Sequence, residues 1–108
     1  MRHKPAPTPP ANREQTLLRR ARRCVRKGED RKALVALREA CLSAGNDARL
    51  WVLYGAHCWR ARKVDEALHA MRQGLWFRER SRDERRARVV RALIAQIESG
   101  VSGELRAA

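Results

Sequence analysis

A register of 34 residues runs through the middle of the chain and limits its possible folds more than any other feature. Ala33-Leu34 recurs as Ala67-Leu68, Cys24 as Cys58, and Leu37 as Met71. Small residues keep the same interval, Ala21 with Gly55 and Ala40 with Gly74. A period of this length carries one helix–turn–helix unit, which buries its apolar face by packing against its neighbours. Ala21, Ala33, Gly55 and Ala67 then mark where paired helices cross so closely that a larger side chain would force the backbones apart.

The rest of the chain agrees with helix. All four prolines lie at Pro5, Pro7, Pro9 and Pro10, and all five aromatics lie between Trp51 and Phe77. Residues 1–12 read as a solvated, basic, Pro-rich arm. From Ala11 onward only glycines interrupt an Ala- and Arg-rich chain, and no strand-like alternation appears. The class is all-α, with an apolar share of 44%, enough for a modest core.

Caps and glycines divide this chain into five helices. Asn12 with Gln15 forms a capping box for the first, whose apolar face is Leu17, Leu18, Ala21, Cys24 and Val25. Gly28 ends it, and Asp30 caps a second helix with Ala33, Leu34, Leu37, Ala40 and Cys41 inward. After a loop at 43–46, Asp47 caps a third, apolar on nearly every side from Leu50 to Trp59 and therefore central. Asp65 falls in the first turn of a fourth, carrying Ala67, Leu68, Met71 and Leu75. Ser81 with Glu84 reads as the capping box of a fifth, carrying Ala87, Val90, Leu93, Ile94 and Ile97, and Gly100 stops it.

The residues of the second period, Trp51-Val-Leu-Tyr54-Gly55-Ala-His-Cys58 followed by Ala67, Met71 and Gly74, resemble the tetratricopeptide repeat family. Tyr54, Cys58 and Met71 stand where the family's pattern has Leu, Tyr and Phe. The first period matches less well, with Arg20-Ala21 at the Leu-Gly position. The resemblance implies a right-handed solenoid of antiparallel helix pairs over residues 13–100. Repeats would cover about 14–47 and 48–81, a capping helix about 82–99, and 101–108 would be a flexible tail. With two repeats, either the capping helix or weak pairing with a second copy completes the structure. The resemblance also implies a groove lined by Gln15, Leu18, Arg22 and Val25, by Arg49, Val52, Ala56 and Trp59, and by Arg86 and Val90. The Asn and Lys residues with which one subfamily clamps a terminal carboxylate are absent from these columns. The expected role is protein–protein binding to an acidic, partly apolar segment, anchored by Trp59 and selected by the arginines.

Charge supports a second reading. The formal net charge is +13, and residues 1–46 carry 12 basic against 4 acidic side chains. Arginine outnumbers lysine 21 to 4, a choice that genome composition can explain, whereas the excess of base over acid needs another reason. Arg19, Arg20, Arg22, Arg23, Arg26 and Lys27 would supply phosphate contacts from the first helix to a nucleic acid. Against this, no nucleic-acid-binding motif is present and the aromatics are not interleaved with that cluster. A solvated outer face that keeps the chain soluble is the plainer alternative.

Chemistry leaves little trace. Cys24, Cys41 and Cys58 are spaced by 17 residues, half the repeat, on apolar stripes, and read as small buried hydrophobes rather than metal ligands. Asp65-Glu66 and Asp83-Glu84 sit at helix starts, where acids favour the positive end of the dipole. There is no phosphate loop or nucleophile motif, so a non-enzyme without cofactors is expected. No apolar run reaches membrane length, and three cysteines without a secretory signal point to the cytoplasm.

Overall fold

The computed structural model describes residues 10–107, with side chains placed from 13 to 100. The expected arm, up to residue 9, lies outside the described residues. The chain is all-α, with α1 Pro10–Arg26, α2 Asp30–Ala44, α3 Ala48–Arg60, α4 Val64–Arg80 and α5 Glu84–Ala107. Two compact units result, one ending at Gly45 and holding α1 and α2, the other beginning at Asn46 and holding α3, α4 and α5. Sequential helices within each unit pack as antiparallel pairs: α1 on α2, α3 on α4, and α4 on α5.

The 34-residue register is written into the turns as hydrogen bonds. At the end of α1 the Glu29 N–H donates to Cys24 O at 2.8 Å and the Gly28 N–H to Val25 O at 3.0 Å. One period later the Lys63 N–H donates to Cys58 O at 2.9 Å and the Arg62 N–H to Trp59 O at 3.0 Å. The residue that reverses the chain is left-handed in both, Gly28 at φ 74° and Arg62 at φ 62°. Such a residue closes the orphan carbonyls at a helix end. The α4–α5 junction uses the same arrangement: the Asp83 N–H donates to Arg78 O at 2.9 Å, with Arg82 at φ 58°.

Several boundaries differ from the sequence reading. α1 starts at Pro10, so Asn12 lies inside its first turn instead of capping it. Proline suits that first position because its φ is already helical and its missing N–H would have no partner there. Glu29, not Asp30, occupies the cap position of α2. Ser81 ends α4, donating its hydroxyl to Arg78 O, while Asp83 caps α5 by accepting from the Arg86 N–H at 3.2 Å. Asp47 does cap α3, accepting from the Arg49 and Leu50 N–H groups at 3.0 and 3.4 Å. α5 runs through Gly100 to Ala107, beyond its expected end and through most of the segment expected as a tail.

The core follows the apolar stripes. In the first unit Leu17, Ala21, Ala33, Leu34, Leu37, Ala40 and Cys41 are buried, and in the second Leu50, Trp51, Cys58, Ala67, Met71, Ala87, Val90, Ile94 and Ile97. The tightest approach lies between α3 and α4. A Cβ on Gly55 would stand 3.0 Å from Met71 Cγ and 3.2 Å from the Ala67 carbonyl oxygen. A Cβ on Gly74 would stand 2.8 Å from Val52 Cγ2 and 3.3 Å from the Ala48 carbonyl oxygen. Backbone thus meets backbone at both ends of the crossing, as the paired small residues required.

Two outcomes test this packing. Ala67→Phe places a ring where there is no exposed surface, and chemical denaturation should show a loss of about 1–3 kcal/mol or more. Arg62→Gly relieves a left-handed residue whose strain is roughly 1–2 kcal/mol, offset by about 0.5–1 kcal/mol of extra unfolded-state entropy. The same melts should show it slightly more stable than the parent chain.

Candidate functional site

The residues expected to line a groove fall into two sets, one in each unit. On α1, Leu18 and Val25 are half-buried and Arg22 is exposed. On α3, Arg49 is exposed while Val52, Ala56 and Trp59 are half-buried along one face. Val52 turns its Cγ2 towards Gly74 of α4, which makes it a packing contact within the helix pair. Trp59 reaches the other way. A Cβ on Gly100 of α5 would lie 3.1 Å from Trp59 Cη2 and 3.5 Å from Cζ2. The bare backbone at Gly100, inside α5, thus lies against the far edge of the indole. Trp59 is half-buried and keeps part of its surface open to solvent.

Arg86 and Val90 of α5 divide in role. Val90 is core, 2% exposed. Arg86 is exposed and folds back on the cap of its own helix, its Nη1 3.2 Å from Asp83 Oδ2. Arg78 also approaches that carboxylate, at 3.8 Å, from the last turn of α4. The Arg86 backbone N–H, followed by the Arg86 and Arg78 charges, holds the Asp83 carboxyl below its usual range. Arg91, donating to Glu84 at 2.8 Å, does the same for Glu84.

On α1, Arg19, Arg20, Arg22, Arg23 and Arg26 are all exposed, as is Lys27 just past its end. Ion pairs among the described residues engage Lys32, Arg72, Arg78, Arg86 and Arg91, and leave this run of α1 cations aside. Its charge is open to an external anion.

Sequence reasoning passed over the outward face of α4. Trp76 is 50% exposed, with its ring edge-on to Phe77 at 5.1 Å and the Arg80 guanidinium 4.6 Å from its centroid. His69, Arg72, Gln73 and Trp76 border a shallow, open depression on this face of the helix. The signal was present in the spacing, since Arg72 and Arg80 stand one helical turn either side of Trp76. The aromatics are absent from the α1 cluster, as expected, and here one of them stands among arginines of α4.

No disulfide joins the cysteines: Cys41 and Cys58 are buried and Cys24 is half-buried. Burial pushes the Cys58 thiol up, and the Tyr54 hydroxyl offsets part of the effect. Among the described residues no three His, Cys, Asp or Glu side chains gather at one point, and no helix is long and apolar enough to cross a membrane. Comparison with protein-family models, curated proteins and solved structures finds no match.

The Asp83 cap generates a pH dependence. A carboxylate held low in the folded state contributes stability that is complete above its unfolded value and lost as pH falls through the folded one. Thermal midpoints should therefore fall below about pH 4. Asp83→Asn should melt lower at neutral pH and show a shallower acid slope, because Asn keeps an oxygen for the Arg86 N–H but not the charge.

Proposed function

We propose that this chain is a small tetratricopeptide-like interaction module that binds an acidic, partly apolar segment of a partner protein. The small residues that recur one period apart, Ala21 with Gly55 and Ala40 with Gly74, are all buried, which supports the family reading beyond residue type alone. Trp59 carries the binding reading. It is an aromatic side chain on the third helix, held at one edge by Gly100 and half open, on the face it shares with the exposed Arg49. An indole fixed on one side loses little freedom on binding, which suits it as an anchor. Arg49, exposed on the same face about 15 Å along the helix, would select carboxylates through charge and planar donors.

A second reading rests on a separate observation, the run of exposed α1 cations that stands outside the ion pairs. Such a run can neutralise phosphates along a nucleic acid. Salt titration separates the two. Duplex or single-stranded DNA held tightly at physiological salt, with a steep salt slope, favours the nucleic-acid reading.

The protein-binding reading is tested with a labelled, extended acidic peptide carrying interspersed leucines. Trp59→Ala should weaken its capture by about 2 kcal/mol or more, as interface anchors do. Trp51, 9% exposed in the α3–α4 packing, serves as the comparison. Trp51→Ala should lower the melting midpoint by much more than Trp59→Ala. Equal loss of stability in the two variants would make Trp59 a core residue and remove the anchor.

A further inference from the structure

Among the described residues α4 packs on α3 and α5, and the face that carries Trp76 is exposed, with a definite spacing. His69, Gln73, Trp76 and Arg80 follow one another at intervals of four, three and four residues. That spacing runs them along one stripe of the helix, a polar seam with Trp76 as its single apolar residue, and sets Arg72 on its flank. His69, Trp76 and Arg80 are exposed along it, as is Arg72, and Gln73 is half-buried. α4 uses its other faces against α3 and α5.

We infer that this seam is a docking site for an acidic amphipathic helix of a partner protein. The partner's apolar side chain sits in the depression beside Trp76, and its carboxylates reach Arg72 and Arg80. Those two arginines are eight residues apart, which is about 12 Å along the helix axis. A partner helix with acids eight positions apart and an apolar residue midway matches that pattern. Phe77 and the Arg80 guanidinium brace the indole, so its remaining open surface is already oriented. Arg72 is held only loosely, 3.9 Å from Glu98 with both side chains more than half exposed, and can exchange that partner for another carboxylate.

Charge decides among possible occupants. A second copy of the chain would set arginine against arginine across the seam, and the net charge of +13 opposes the approach. A nucleic acid needs a continuous basic track, whereas Glu79 and Glu98 interrupt the basic surface around Trp76. Separate carboxylates on a folded segment fit separate arginines. The site is independent of Trp59, and either can fail without the other.

The test uses the full chain at physiological salt and a labelled peptide stapled as a helix, with two glutamates eight positions apart and a leucine midway. A control peptide carries glutamine in place of both glutamates. Fluorescence anisotropy should show the acidic helix bound at least tenfold more tightly than the control. Trp76→Ala and the double variant Arg72→Glu with Arg80→Glu should each weaken it tenfold or more. Both change exposed positions, and circular dichroism should show the helix content retained. Trp59→Ala should leave this affinity unaltered. Unchanged binding in both α4 variants would overturn the inference, as would loss of binding in Trp59→Ala alone, which would leave the Trp59 reading standing. It would equally fail if oligothymidylate bound and Trp76→Ala abolished that binding, or if the chain dimerised through Trp76.

Discussion

Everything in the second unit depends on how closely α3 and α4 approach each other. At Gly55 and Gly74 the space for a Cβ is already taken by Met71, Val52 and two backbone carbonyl oxygens. Helices at that separation bring Ala67 and Ala70 fully out of solvent without large side chains to fill a gap. The consequence reaches the surface. Trp51 is directed into the crossing, which leaves Trp59, two turns further along α3, to extend towards α5.

The turns explain why the repeat continues in form but loses its register. α2 has 15 residues and α4 has 17, so the caps Asp47 and Asp83 stand 36 residues apart, not 34. A comparison one period on therefore misaligns α5 with α3, while the turn before α5 aligns it instead with α2 and α4. Aligned on its turn, α5 places Ala87 where α2 has Ala33 and α4 has Ala67, and all three are buried. The left-handed positions show the same tolerance. Glycine fills the first, and arginine fills the other two at some cost in backbone strain.

The basic surface is not uniform. On α1 the cations enter none of the ion pairs among the described residues, whereas at the α4–α5 junction Asp83, Glu84 and Glu79 engage Arg86, Arg78 and Arg91. Exposed pairs of this kind contribute little to stability individually. Their effect is to consume charge near Asp83 and leave Arg72 and Arg80, beside Trp76, as the less engaged arginines of α4. Two surfaces of different character result: a run of like charge on α1, and an aromatic with discrete charges on α4.

Local chemistry and periodicity by themselves determined the five helices, the Asp47 cap, the small-residue crossings and nearly all of the core. Each rests on spacing of 3.6 residues or on a residue's own backbone preference, and both are legible one residue at a time. Three things were legible only in the structure. Pro10 could open a helix or close an arm, Gly100 could stop a helix or receive an indole, and Ser81 or Asp83 could cap α5. In each case the residue type permits both outcomes; Gly100 faces the indole of another helix, whereas Ser81 and Asp83 divide by local hydrogen bonds to Arg78 O and from the Arg86 N–H. The surfaces followed the same rule. A sequence shows that Trp51, Trp59 and Trp76 lie on helices, but which is core, which leans on a neighbour and which faces outward depends on the side from which the next helix packs.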